Sequence, residues 1–272
     1  MRTNIVDNLL VKPDSKLKLN RFSTTQTGRI DKEESEKLLK EYLMNQMETL
    51  QYKLFADKSQ SLLIILQGIS TAGKDGTIRH VMSAFNPQSC KAISFTAPSE
   101  EELSHDYLWR IHKLMPAKGE ITLFNRSHYE DVIEVRVRNL IPKSVWSKRY
   151  KQINEFEQYL HENDTKIIKF LLHISKSEQK NRLEERIRDP LKQWKVSEND
   201  LTEQAYYEKY IEAFEEALSK CSSEWAPWYI IPADEKWFRN FAIAQIVVNT
   251  LKSMKLEFPK PKIDLSKFLT KQ

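Results

Sequence analysis

Glycine is scarce in this chain and gathered at one place. The 272 residues hold five, where an average usage of about 7% would give roughly 19. Three of the five, Gly68, Gly73 and Gly76, fall within nine residues. A chain that otherwise does without glycine has concentrated it where the backbone must turn sharply or approach something closely. Directly before it, Ser61-Leu62-Leu63-Ile64-Ile65-Leu66 is a short continuous apolar run. Its length and β-branched content read as a strand buried on both faces, as in parallel sheets. A helix is expected from about Gly73.

Four more strands are expected at Ala92–Phe95, Ile121–Phe124, Ile167–Ile174 and Trp228–Ile231. Between them lie helical patterns. Glu33 to Phe55 carries Leu38, Leu39, Tyr42, Leu43, Met47, Leu50 and Leu54 at helical spacing. Ser99-Glu100-Glu101-Glu102 reads as a capping box that opens a helix through about Met115. A charged helix with Leu183 and Ile187 should end near Asp189, before Pro190. Ser197 is placed to cap a long helix through Tyr206, Tyr210 and Phe214 to Leu218, and a last helix holds Phe238, Phe241 and Val248. Strands alternating with helices give an α/β fold whose parallel sheet is covered on both faces. Residues 1–30 read as a polar, irregular surface arm, 31–256 as one domain, and 257–272 as a Lys- and Pro-rich, loosely held tail.

Composition narrows the function classes. With 40% apolar and 10% aromatic residues the chain can bury a sizeable core. Forty-three basic against 38 acidic residues, a net charge of +5, excludes an extreme polybasic protein and leaves room for a local basic site. No apolar run approaches the roughly 20 residues of a membrane span. The first residues, Met-Arg-Thr-Asn-Ile-Val-Asp, carry no apolar signal core, so a cytoplasmic protein is expected. Cys90 and Cys221 do not make a disulfide framework. No internal repeat is present.

Gly68-Ile69-Ser70-Thr71-Ala72-Gly73-Lys74-Asp75 matches the P-loop pattern G-x-x-x-x-G-K and departs from it only where Asp75 replaces Ser or Thr. Small residues let backbone N–H groups close around a phosphate, and the helix start at Gly76 and Thr77 adds its dipole. Lys74 supplies a mobile charge, while the hydroxyl that normally ligates Mg²⁺ is lost. The plain alternative is a glycine-rich turn with an incidental lysine. Ile121–Phe124 runs into Asn125-Arg126-Ser127-His128-Tyr129-Glu130-Asp131, seven polar residues at a sheet's carboxyl edge, where ligands bind. Arg126 suits bidentate phosphate contact, and Glu130 and Asp131 are candidates to hold a metal or its water. His128 reads as structural rather than as a base, since phosphoryl transfer needs little proton chemistry. Tyr129 is open between packing and substrate contact. Basic residues recur at Arg136, Arg138, Lys143, Lys148, Arg149 and Lys151, where a solvated helix face is the plain reading. They recur again at Arg182, Arg186, Arg188, Lys192 and Lys195, with Arg182 and Arg186 on one helical face. The Asp189-Pro190 break leads into Leu191-Lys192-Gln193-Trp194-Lys195, a segment expected to move over the site. Together these favour a polyanionic ligand.

These motifs resemble the polyphosphate kinase 2 family, P-loop enzymes similar to thymidylate kinases. The resemblance rests on Gly68–Ile78, on Phe124 to Val132, on Asp189 to Lys195 and on Ala226 to Trp237, and it spans about residues 30 to 255. It implies a three-layer α/β/α sandwich with a helical lid at about 186–205, in dimers or tetramers. It also implies Mg²⁺-dependent phosphoryl transfer between inorganic polyphosphate and AMP or ADP, yielding ADP or ATP, without nucleic acid or membrane partners. On that resemblance Lys74, Arg126 and Arg182 are catalytic. Gly68, Gly73, Asp75, Gly76, Thr77, Arg186, Lys192 and Lys195 bind phosphates, and Asn125, Glu130 and the Ser70 position serve the metal. The family generally carries Asp where this chain has Ser70, and Lys where it has Thr96. Alternatives are an ATP-dependent nucleoside monophosphate kinase and a protein that binds polyphosphate or nucleotide without turnover. Nucleic-acid binding ranks last, for want of any recognisable module.

Overall fold

In the computed structural model, which describes residues 4–28 and 30–265, the apolar run before the glycines is strand β1, Ser61–Gln67, buried at every residue. The other strands are β2, Cys90–Ser94; β3, Ile121–Asn125; β4, Thr165–His173; and β5, Trp228–Pro232. All pair in parallel, in the order β2-β3-β1-β4-β5. Each lies within about two residues of its expected place, the tolerance of such readings. The chain leaves β1 toward β2 on one side and leaves β3 toward β4 on the other. That reversal opens a crevice at the carboxyl ends of β1 and β3, where Leu66 stands beside Asn125.

Two helical layers cover the sheet. On one face lie the helical run from Lys32 to Asp57, the helix Lys74–Val81 and the helix Lys236–Ser253. On the other lie Lys143–Glu162 and Tyr207–Cys221. The result is the α/β/α sandwich. The Lys236–Ser253 helix buries Phe238, Phe241, Ile243, Val247 and Leu251. Among the described residues no helix is long and apolar enough to cross a membrane.

Three readings differ from the structure. The capping box at Ser99 forms, but its helix lasts one turn, Glu100–Leu103, and a second short turn follows at Trp109–His112. Asp106 sits between them and accepts the N–H of Leu108 at 3.0 Å, a local turn that competes with helix continuation. The helix expected from Ser197 to Leu218 is two, Glu198–Ala205 and Tyr207–Cys221, with Tyr206 between them at φ −97°, ψ 14°. The break lets the second helix bury Tyr207, whose hydroxyl donates to the Ile174 carbonyl at 2.8 Å, while the first turns toward the phosphate loop. The arm is not a polar surface segment throughout, either. Val6, Leu9, Val11, Leu17 and Leu19 are buried. Leu10 bridges Tyr229 antiparallel, and the Ile230 N–H donates to the Leu9 carbonyl at 2.8 Å, which covers an otherwise open sheet edge. In the tail, Phe258 leans on the Tyr52 ring, and residues 266–272 lie outside the described residues.

Between β4 and the Lys143–Glu162 helix sits a polar network with no solvent access. Lys169 and Glu157 are both 0% exposed, and Lys169 Nζ donates to Glu157 at 2.5 Å, to the Tyr129 hydroxyl at 2.8 Å and to the Cys221 carbonyl at 2.7 Å. Glu157 also accepts from Tyr129 at 3.0 Å and meets His128 Nε2 at 3.2 Å. Burial alone would raise the Glu157 carboxyl, but Lys169 and His128 outweigh it and hold it below the usual range. The network fixes the His128–Asp131 turn under the end of β3, so Tyr129 is a packing residue. Lys169→Met leaves Glu157 buried without its ammonium partner and should cost about 3–5 kcal/mol in a denaturant titration. The double change Lys169→Met with Glu157→Leu should recover much of that loss.

Candidate active site

The loop after β1 is shaped by backbone conformations that few side chains tolerate. Gly68 has φ +152° and Gly73 φ +106°, and a Cβ on Gly73 would lie 1.9 Å from Arg239 Nη1. Only glycine fits position 73. The helix Lys74–Val81 starts directly after it, so its free N–H groups and its positive dipole end open into the crevice. Thr77 is buried, and its hydroxyl donates to the Gly73 carbonyl at 3.1 Å. The Lys74 ammonium folds back on its own loop, at 2.6 Å from the Gly68 carbonyl and 3.1 Å from that of Ile69. Burial and the neighbouring Arg126 push this lysine down from 10.5 to about 8.

Arg182 braces the loop from behind. Its Nε donates to Glu178 at 2.8 Å. Nη1 donates to the Thr71 and Ala72 carbonyls, both at 3.2 Å, and Nη2 to those of Ala233 and Asp234 at 2.6 and 2.7 Å. All five of its N–H groups are thereby used.

At the end of β3, Arg126 takes the left-handed conformation, φ +65°. Its N–H donates to the Leu66 carbonyl at 3.0 Å, which ties the exit of β3 to the end of β1. Such strain in a non-glycine residue clusters at functional sites. Asn125 donates to Asp75 at 3.0 Å and to the Ser94 hydroxyl at 3.3 Å, while its Oδ1 is buried with no partner. Burial works against an ionised Asp75, but hydrogen bonds from Lys195 and Asn125 hold it below the usual range. Glu130 moves the other way, raised by burial that Arg126 and Lys74 only partly offset. Asp131 turns aside to Arg149 at 2.7 Å.

The segment after Pro190 closes the far wall. Lys195 reaches Asp75 at 3.2 Å, and Lys192 pairs with Asp189 at 2.5 Å. From the helix Glu198–Ala205, Asp200 accepts from the Ser70 hydroxyl, and Glu203 accepts from the Ser70 N–H. Asp200 also meets Arg186 at 3.3 Å, and Glu203 meets Arg126 at 3.5 Å. A cavity of about 650 Å³ remains. Ser70, Gly73, Lys74, Asp75 and Gly76 line it from the loop, and Asn125 and Arg126 from β3. Arg186, Lys192, Trp194 and Lys195 complete it from the far side.

The Polyphosphate kinase 2 (PPK2) family model matches residues 29–259. The chain belongs to this family. The AMP/ADP-polyphosphate phosphotransferase of Meiothermus ruber is 44% identical over 92% of this chain and 94% of its own length. The ADP-polyphosphate phosphotransferase of Rhodopseudomonas palustris is 44% identical over 84% of each chain. The crystal structure of polyphosphate kinase 2 from Arthrobacter aurescens TC1 superposes with a TM-score of 0.90 at 39% identity, over 95% of this chain and 96% of that one.

Of the residues that the family resemblance marks, ten share the one cavity. Gly68, Thr77, Glu130 and Arg182 do not line it. Gly68 shapes the loop and Thr77 caps it from inside, whereas Arg182 spends every donor on protein oxygens. The basic stretch at 136–151 is largely neutralised: Arg136, Arg138, Arg149 and Lys151 pair with Glu216, Glu134, Asp131 and Glu155. Sequence reasoning missed Asp200, Glu203 and Arg239. Asp200 carried one local sign, its place three residues after Ser197, whose N–H it accepts at 3.0 Å.

Ser70 sits where a carboxylate would face both Asp200 and Glu203. Ser70→Asp should therefore repel the Glu198–Ala205 helix, and trypsin should cut at Lys192 and Lys195 several-fold faster than in the parent. Unchanged cutting would separate Ser70 from the closure of this wall. Lys74 sets a pH dependence of stability. Its folded value of about 8 lies below 10.5, so the ligand-free fold is penalised below about pH 8 and gains stability as pH rises from there toward 10.5. Lys74→Met should raise the ligand-free melting temperature at pH 7, and the difference from the parent should vanish near pH 10.

Proposed function

We propose that the chain transfers phosphoryl groups between inorganic polyphosphate and AMP or ADP. One observation carries the reading: five cationic side chains from three separate elements converge on the cavity above the phosphate loop. Lys74 comes from the loop, Arg126 from β3, and Arg186, Lys192 and Lys195 from the segment that follows β4. So many cations around about 650 Å³ suit a chain of phosphates better than a single one. The names of the Meiothermus ruber and Rhodopseudomonas palustris relatives support the same substrates.

The residues act by position and charge, since a loose phosphoryl-transfer transition state asks for little else. A phosphate oxygen of AMP or ADP attacks the terminal phosphorus of polyphosphate. The bond from that phosphorus to its bridging oxygen breaks, and the shortened polyphosphate leaves with the electron pair. Lys74 exchanges the carbonyls of Gly68 and Ile69 for phosphate oxygens, whose negative charge offsets the burial that opposes its ammonium. Arg126, pre-aimed by its left-handed backbone, bridges two oxygens of the transferring group. Arg186, Lys192 and Lys195 hold the polyphosphate, and the stretch at about 186–205 is the lid that shuts out water. To admit the ligand, Asp200 must release Arg186 and Glu203 must release Arg126.

The donor set suits Mg²⁺. Asn125 Oδ1 is buried and unpartnered beside Asp75. Among the described residues no three of His, Cys, Asp and Glu form a metal cage, and Mg²⁺ characteristically takes one or two carboxylates and completes its shell with phosphate oxygens and water. Asp75 and Asn125 would hold it, and when bound it neutralises charge on the phosphate oxygens. Ser70 serves the lid carboxylates instead. A cytoplasmic dimer or tetramer completes this reading, and light scattering tests the assembly.

ATP formation from AMP and from ADP, each with polyphosphate and Mg²⁺, is the direct test. Turnover with polyphosphate and none when ATP replaces it as donor to AMP supports the reading, and the reverse result favours a nucleoside monophosphate kinase. Binding without product would make the chain a polyphosphate-binding protein. Lys74→Ala should abolish transfer while circular dichroism shows an intact fold.

A further inference from the structure

Arg239 enters from the helix Lys236–Ser253 and lies under the phosphate loop, 3% exposed. Its guanidinium presses on the loop from the side opposite the cavity. Nη1 fills the space that a Cβ on Gly73 would take, and Nη2 lies 3.3 Å from where a Cβ on Gly76 would be. Two of the loop's three glycines thus make room for an arginine behind them.

Its hydrogen bonds go to neutral oxygens. Nε and Nη2 donate to Asn240 Oδ1 at 3.2 and 3.0 Å, and Nη1 reaches the Ala72 carbonyl at 3.5 Å. Among the described residues no carboxylate pairs with it. Its charged neighbour is Arg182, and burial together with that second cation pushes it down to about 10, which leaves it charged at neutral pH. Arg182 differs, because it has Glu178 and four carbonyls around it. A buried charge without a countercharge destabilises the fold that contains it. The surface it abuts is the loop whose other side opens on the cavity.

We infer that Arg239 is a positioning residue for the phosphate held by the loop, a buried cation whose countercharge is the ligand itself. The inference rests on the loop being the phosphate site, as proposed above. The guanidinium never touches the phosphate. It acts through the peptide units of Gly73 to Gly76, raising the positive potential on their cavity side before any substrate arrives, the arrangement that electrostatic preorganisation requires.

The test uses the full chain and long-chain inorganic polyphosphate as the probe. Melting temperature is measured with and without it for the parent, Arg239→Met and Arg239→Lys, alongside KM for polyphosphate. Arg239→Met should melt at or above the parent without ligand, since an uncompensated charge is removed. Its polyphosphate-induced rise in melting temperature should fall to less than half, and its KM should increase about tenfold. Arg239→Lys, which keeps the charge, should keep most of the rise. A purely structural role gives the opposite pattern, a lower ligand-free melting temperature with the full polyphosphate response, and would overturn the inference. If Arg239→Met does not fold, Arg239→Gln retains donors, loses the charge and carries the same comparison. Absence of any polyphosphate response in the parent would sink the reading of the loop itself.

Discussion

The site depends on a brace that never enters it. Arg182 donates to carbonyls on both sides of β4's connection: Thr71 and Ala72 of the phosphate loop, and Ala233 and Asp234 at the exit of β5. A phosphate loop is a run of backbone whose N–H groups must all face one way, so its carbonyls are forced to face the other. Left buried and unpaired, those carbonyls would each cost about 1–3 kcal/mol. One guanidinium answers two of them and anchors the loop to the opposite strand. The curvature of the loop is thus fixed from the rear.

Electrostatic occupancy is the second constraint. The cavity's cations are engaged with the protein's own oxygens: Lys74 with the Gly68 carbonyl, Arg126 with Glu203, Arg186 with Asp200, Lys195 with Asp75 and Lys192 with Asp189. These contacts keep a dense basic cluster from repelling itself. Asp75 is exposed and Asp189 partly so, and such pairs are worth little individually. Asp200 and Glu203 are buried, so Arg186 and Arg126 are held more firmly than the two lysines.

The strands were legible because each centres on a short, largely apolar stretch of the right length, uninterrupted in Leu62 to Leu66 and broken only by Lys169 in Ile167 to Leu172. The loop was legible because glycine is so rare elsewhere. What escaped depends on contacts between residues distant in sequence. Nothing near Arg239 marks it as lying against Gly73, and nothing near Glu203 marks it as a partner of Ser70, 133 residues away. Arg182 and Arg186 do share a helix, yet one turn of that helix separates a brace from a cavity wall. Periodicity shows which residues lie side by side but not which one meets a carbonyl. The arm misled for a related reason. Its apolar residues, Val6, Leu9, Val11, Leu17 and Leu19, follow no strand or helix period, because it is pinned to β5 at single points.

That arm has a consequence for how the chain is made. The Val11 carbonyl accepts from the Ser222 hydroxyl, 211 residues later, and Leu10 is paired only once Tyr229 exists. On a ribosome the arm emerges long before β5 yet is among the last segments to find its place, and it waits with its apolar side chains uncovered until β5 is synthesised. Such long-range closure slows folding and lengthens exposure to aggregation. A nascent chain arrested before β5 should be a client for holdase chaperones, and synthesis of β5 should end that dependence in one step.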